Sequence, residues 1–446
     1  MVPSSPRRVL LGLVLTALMG LTMTAPALAQ TSGEGSIYSR FGIGLLDGFS
    51  SSQSEALGGG AYALRSLNYN ATANPALWSD QVYTRLSAGG SFRSISTTTG
   101  DESARLGTGS LDAVQFSFPL YERSLGVGIS FQPYSHSNYG ARREGSLGVT
   151  RPDTSFSIPY EVNFQGNGGL HQLRGGLGYQ ISEAVRVGAS VDVLFGIIED
   201  QRRTEFPPNS TYRNAVVSSS TQLSGVTGTL GTQITLASVF ASEDALSFGA
   251  SVTLPAGLSG DRVRTLDEDL ARDTLAFQRG SVDLPWRAKM GVAYQPNEKW
   301  TVVLDGLYEP WGNFSSDFNN PSSSFPSAFP VGGTQTLTNR WRLSTGAELV
   351  PAGTGNLGSY LSQMGYRFGG YVERLYVQPD AQTTLHTLGA TGGFSFPTSL
   401  SGTRIDLNLK VGSRGSTSGS LVRDTFYGVS LHVNFGERWF QQRKLR

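Results

Sequence analysis

The 446-residue chain predicts an all-β fold: a fourteen-stranded antiparallel transmembrane β-barrel with an N-terminal plug, or hatch, in its lumen. Three observations predict it. Fourteen segments alternate apolar residues with small or polar ones, the period of a strand with two unlike faces. Their connections alternate between short and long, the asymmetry of an outer-membrane barrel. Aromatic residues recur on the apolar face eight positions apart, as two membrane interfaces would select.

Residues 1–29 read as a signal peptide. Arg7 and Arg8 precede the apolar run "VLLGLVLTALMGLTM", and Ala27-Leu28-Ala29 is a small-x-small cleavage site, so the mature chain is expected to begin at Gln30. Beyond it no run approaches the ~20 apolar residues of a membrane helix. Charged residues make up 15% of the chain, below the ~25% usual in soluble domains. The net charge of +1 gives no reason to expect nucleic acid, and the absence of cysteine excludes thiol catalysis, disulfides and cysteine metal sites.

Residues 30–80 show no alternation. They are glycine-rich and too long for a leader, and so read as the plug. The barrel is assigned to 81–436, with strands beginning near Val82, Leu111, Leu125, Leu170, Val185, Gln222, Ala245, Asp283, Trp300, Thr338, Tyr360, His386, Arg404 and Thr425. In the last, Tyr427, Val429, Leu431, Val433 and Phe435 lie on one face, with Gly428, Ser430, His432 and Asn434 on the other. The apolar set is expected to face lipid and His432 a hydrated lumen wall, because charge must be kept off the lipid face. Trp286 and Tyr294, Trp300 and Tyr308, Tyr360 and Phe368, and Tyr427 and Phe435 share faces at the eight-residue interval. Eight strand residues span ~26 Å, or ~20 Å along the normal at a tilt of ~40°.

The connections "YERS", "SEA", "ASED", "PNEK" and "TSLSG" are the short turns. External loops are expected at 96–110, 135–169, 199–221, 256–282 and 312–337, with "DEDLARD" at 267–273 as a candidate short helix. Residues 437–446 form a basic tail expected in the periplasm.

No motif for nucleophilic, metal or phosphate chemistry is present, and the four histidines, His136, His171, His386 and His432, have no metal-ligand spacing. Ser430 and His432 on one face are the sole hint of catalysis. Neither an enzyme, a cofactor nor a metal site is expected. Arg85, Arg93, Arg174, Asp192, Asp305, Arg342, Glu348, Asp406 and Lys410 should point inward. They either pair within the wall, or anchor the plug and hold a ligand head group.

Several strings resemble the FadL/TodX family of outer-membrane channels for hydrophobic compounds. "EALGGGAYALRSLNYNATANPAL" is similar to that family's plug region, with Asn74, Pro75 and Ala76 matching its Asn-Pro-Ala motif. "GNGGLHQLRGGLGYQI", "DLPWRAKMGVAYQPNEKWTVVLDGLYEPW" and "SYLSQMGYRFGGYVERLY" resemble later strands, the second being the best match. The ending "GERWFQQRKLR" departs from barrels that stop on an aromatic residue. The resemblance implies passive uptake of hydrophobic molecules, with fatty acids the default substrate. It also implies a sideways exit at a kink in the third strand, here at Gln132, Pro133 and Tyr134, the alternative being that Pro133 lies past the strand's upper end. Proline marks a break in a ladder because it has no N–H to donate.

The expected partners are a hydrophobic small molecule or lipid and the surrounding outer-membrane lipid, with a protein partner most readily met at the external loops or the tail. The competing reading is a non-transporting barrel serving as a scaffold or secretion-machine component. A general porin ranks third, since the plug would close it. An apolar pocket beside the plug would favour uptake and a flat outer platform would favour scaffolding.

Overall fold

The computed structural model describes residues 35–438, apart from positions 100–101, 152–153, 209, 211, 269–270, 323–324, 354–357, 401 and 418–420. The leader and most of the basic tail therefore lie outside the described residues.

The wall is a closed antiparallel barrel of fourteen membrane-crossing strands. In chain order the strands are β1 (Thr84–Thr99), β2 (Glu102–Tyr121), β3 (Leu125–Pro133), β4 (Tyr139–Arg151), β5 (Thr154–Gln180), β6 (Val185–Glu205), β7 (Ala215–Ala237), β8 (Ala245–Thr253), β9 (Ala256–Glu268), β10 (Ala271–Leu284), β11 (Arg287–Gln295), β12 (Trp300–Glu309), β13 (Arg340–Leu349), β14 (Gly365–Arg374), β15 (His386–Pro397), β16 (Arg404–Gly415) and β17 (Arg423–Glu437). Of these, β4, β9 and β10 stand above the membrane portion. β17 pairs with β1 and closes the ring, Leu86 opposite Phe435 and Phe92 opposite Val429.

Four expected loops are largely strand, the first being 96–110, where β1 runs to Thr99 and β2 starts at Glu102 with Thr99 opposite Glu102. Residues 139–151 and 154–166 form one hairpin, 256–268 and 271–284 another, and β6 and β7 run on through most of 199–221. These stretches are rich in Ser, Thr, Arg and Val without clean alternation, because above the membrane both faces of a sheet meet water or protein. The ladder satisfies the backbone there whatever the faces carry. "DEDLARD" is accordingly the end of a hairpin and not a helix, with Asp267 opposite Arg272. The strand expected from Tyr360 begins at Gly365. Tyr360–Gln363 is a short helical turn, so Tyr360 and Phe368 do not share a strand face.

The outward face is apolar as expected. Tyr427, Val429, Leu431, Val433 and Phe435 are all exposed, Leu431 at 48%, whereas His432 between them is 3% exposed. His432 corrects one detail: it is not hydrated wall but is packed inside, its ring stacked on Phe49 of the plug at 5.2 Å. The outer half of the lumen is closed by an apolar cluster. Leu223, Leu258 and Val282 of the wall meet Phe318 and Phe329 of the 310–339 loop and Tyr376 of the 375–385 loop. The plug fills the rest.

An arginine on the lipid face near mid-membrane costs ~2–4 kcal/mol. Leu431→Arg is therefore expected to remove most of the folded, heat-modifiable band on unheated gels. Thr108→Arg, on a position lining an internal cavity, is expected to retain it.

Candidate functional site

The plug is held by its own caps and by the wall. Helix α1 (Ser52–Ala56) starts with a reciprocal capping box, in which the Ser51 side chain accepts from Ser54 N and the Ser54 side chain accepts from Ser51 N. At the other end of the plug, Asn74 caps the 3-10 turn Pro75–Asp80. Its Oδ1 accepts from Ala76 N at 3.1 Å, while its Nδ2 donates to Tyr62 O at 3.1 Å and to Thr232 O of β7 at 3.0 Å. Pro75 and Ala76 lie directly on the wall. A Cβ at Gly188 would sit 2.4 Å from Pro75 C, and one at Gly231 2.2 Å from Asn74 Oδ1, so glycine is required at both for the turn to seat.

Six of the nine inward polar residues singled out from sequence hydrogen-bond to the plug. Arg85 donates to Asn68 O at 3.0 Å, Arg174 to Thr72 O at 2.5 Å and Arg342 to Gly58 O at 2.6 Å. Asp305 accepts from the backbone N–H groups of Ala61 at 2.7 Å and Tyr62 at 2.8 Å. Glu348 accepts from Gln53 at 2.5 Å, and Asp406 from Ser52 at 2.5 Å. The same groups also pair within the wall. Arg174 is bidentate to Asp192 at 2.6 and 2.8 Å, and Arg367 joins Glu348 at 2.6 Å to Asp406 at 3.2 Å and to Tyr69 of the plug at 2.6 Å. Pairing within the wall and anchoring of the plug thus coexist in one network.

Sequence reasoning missed further members. Arg340 bridges Glu309 at 3.0 Å and Glu373 at 2.7 Å, and Arg287 pairs with Glu309 from the neighbouring strand. Arg340, Glu309 and Glu373 sit at inward strand positions, so the alternation could have found them. Their pairing depends on which strands are neighbours. Glu55 of α1, Asp112 of β2 and His432 of β17 also converge, though nothing in their sequence spacing brings them together. Ser430 donates to Glu55 at 2.7 Å and not to His432, so the catalytic hint has no nucleophile–base contact.

The wall is interrupted in its third strand. β3 pairs with β5 as far as Pro133 opposite His171, and β4 resumes with Tyr139 opposite Gly166. The five residues 134–138 thus face the four residues 167–170, with one residue in excess. Gly168 and Gly169 take positive φ at the break. Tyr134 N still donates to Leu170 O at 2.8 Å and Ser137 N to Gly168 O at 2.9 Å. The plug fills the rest of the break. Leu45–Leu46 pairs with Ser135–His136, Asp47 N donates to Tyr134 O at 2.9 Å, and Gln132 donates to Phe49 O at 3.2 Å. On the other side, β2 pairs with β3 only from Val114 onward, opposite Phe131. Among the described residues no ladder joins β2 above that point to β4. A cavity of about 500 Å³ lies in this gap, bounded by Ile37, Ala104, Leu106, Ala141, Phe164 and Arg203. A second, of about 190 Å³, lies between the plug and wall, with Asp47, Glu55, Arg93, Asp112, Lys410 and Arg414 among its lining. It is a polar cavity, not an apolar pocket.

A closed fourteen-stranded barrel with an apolar outer belt, a pinned N-terminal plug and an interrupted third strand is an outer-membrane barrel with a fold like that of the FadL/TodX channels. Three solved structures share the fold. The Ralstonia pickettii toluene transporter TbuX is 15% identical with a TM-score of 0.54, over 88% of this chain and 99% of that one. The Pseudomonas putida toluene transporter TodX is 16% identical at 0.53, over 89% and 100%. A Pseudomonas aeruginosa FadL homologue is 12% identical at 0.57, over 89% and 99%. At these identities the likeness concerns the fold alone. No curated protein matches the sequence. The family model BamG matches residues 12–446, and the chain belongs to the BamG family.

Arg174 and Asp192 are 3% and 0% exposed. Removing one member of such a pair strands the other and costs about 3–5 kcal/mol. Arg174→Met is therefore expected to loosen the plug and to give ion current in planar bilayers where the parent gives none. Arg174→Met combined with Asp192→Leu is expected to recover most of the lost stability against urea.

Proposed function

We propose that this barrel is a passive channel for small hydrophobic compounds that exchange with the outer leaflet through the gap beside the third strand. The gap between β2 and β4 carries the reading. Its cavity of about 500 Å³ falls in the ~300–1,000 Å³ range of small-molecule sites and is partly apolar. On the outer face just below it, His171, Phe131 and Phe195 form a three-ring cluster, with His171 stacked on Phe131 at 5.5 Å and tilted against Phe195 at 6.1 Å. A hydrophobic molecule that re-entered water would lose roughly 25 cal/mol per Å² of apolar surface, which a sideways route avoids. The toluene transporters of like fold support a small substrate. So does the interior cavity of about 190 Å³, which is polar and below the usual size of a ligand pocket, and so disfavours the fatty-acid default.

A second reading rests on a different observation. β4 to β7 and β9 to β10 rise as one sheet above the membrane portion, with exposed Leu147, Phe156, Leu275 and Phe277 on the outer hairpins. That is the platform a scaffold or secretion-machine component would offer a protein partner.

The chain has no cysteine, so a single introduced one can be labelled cleanly. A bulky maleimide on Ala141→Cys is expected to stop entry of labelled toluene into proteoliposomes. The same label on Phe248→Cys, an exposed position on β8 several strands from the gap, is expected to leave entry unchanged. Equal entry for both, together with loss of a co-purifying protein on trimming residues 144–158, would select the platform instead.

A further inference from the structure

We propose that Glu55, Asp112 and His432 form a divalent-metal site, best suited to Zn²⁺, that clips the plug to the seam where the first and last strands meet. Glu55 lies in α1 of the plug, Asp112 on β2 and His432 on β17, and β1 pairs with both of those strands. The His432 Nε2 is 3.2 Å from Glu55 Oε2 and 3.2 Å from Asp112 Oδ2, and one donor atom from each of the three lies within 4.8 Å of the others. Ligand atoms on a tetrahedral zinc with bonds of ~2.0–2.1 Å stand ~3.3 Å apart, which the two separations from His432 Nε2 match.

A second observation points to a ligand. Asp112 is 7% exposed, and its Oδ1 is taken by Ser91 at 2.6 Å. Its Oδ2 faces the His432 Nε2 at 3.2 Å without a formed hydrogen bond to it or to any other described group. A neutral imidazole has at most one N–H at Nε2 and cannot direct it at both carboxylates. A cation among the three atoms meets all of them, and two carboxylates with a neutral imidazole carry the charge that balances a dication.

The surroundings hold the ligands in place. Ser430 and Asn408 donate to Glu55 at 2.7 and 3.1 Å, and the His432 ring lies nearly parallel to Phe49 at 11°. Glu55 and Asp112 both line the interior cavity, which leaves room for water at a fourth position. The mixed nitrogen and oxygen set suits Zn²⁺ better than Mg²⁺ or Ca²⁺, which favour oxygen alone. The site is independent of whether the barrel transports, since it concerns what fastens the plug.

The test uses full-length, detergent-purified protein stripped with a chelator, re-supplied with Zn²⁺ and freed of excess. The parent is expected to retain about one Zn²⁺ per barrel. Asp112→Asn and His432→Gln are expected to lose at least nine-tenths of it, and His386→Ala to keep it. Because a variant can fail to fold, each is compared by its heat-modifiable folded fraction. Co²⁺ added to the parent alone is expected to give the intense visible absorption of a four-coordinate site. Retention of Zn²⁺ by folded Asp112→Asn equal to the parent, or no Co²⁺ spectrum in the parent, would mean that a protonated His432 simply bridges two carboxylates, and would overturn the site.

Discussion

The rest of the structure depends on one constraint: charge that is kept off the lipid face must be satisfied inside. The outer belt excludes Arg and Lys at a cost of ~2–4 kcal/mol each near the midplane, and Asp and Glu at a smaller one. Alternation then places them on the lumen face, where the plug removes them from water. Buried and unpaired they would be expensive, so most find a partner across strands or on the plug. Arg174 serves both at once, gripping Asp192 and the carbonyl of Thr72. The plug is shaped by these partners. The chain at Ala61 and Tyr62 turns so that both N–H groups meet the single carboxylate of Asp305.

The break in the third strand follows a similar logic. An interrupted ladder leaves backbone groups without partners, and within a membrane they cannot go to water. Here the plug supplies them through Leu45–Leu46 and Asp47, so the break and the plug are mechanically joined. Arg40, Ser39 and Ile37 extend the contact. The Ser39 hydroxyl donates to Asn138 O at 2.6 Å, at the edge of the gap. Motion of the segment before α1 would therefore be felt at the wall opening, and opening of the wall would be felt by the plug.

Much of the barrel was legible in the chain, for a specific reason. Leu431 and His432 are adjacent, yet one is exposed to lipid and the other is buried against Phe49. Strand geometry alone separates them. Where both faces of a strand meet similar surroundings, the signal fades. The outer extensions at 139–166 and 256–284 read as loops because their residues do not sort into two sets. Tyr360 misled because an aromatic at the right interval is not enough when its backbone turns helical. Of the candidate site, the inward polar residues could be named singly from alternation. Arg367, Glu309, Arg340 and Glu373 carry the same signal, but their value lies in which strand each one faces.

By itself, the sequence determined most of the membrane-crossing strands, which of their faces meets lipid and which charges turn inward. All of these follow from local sterics and a period of two. The tertiary structure alone decided that Glu55, Asp112 and His432 meet, that the plug stitches the third strand, and that β2 and β4 fail to pair. Those depend on ring closure, which brings β17 beside β1 across more than three hundred residues, and on a register set by the whole circumference and encoded in no single segment.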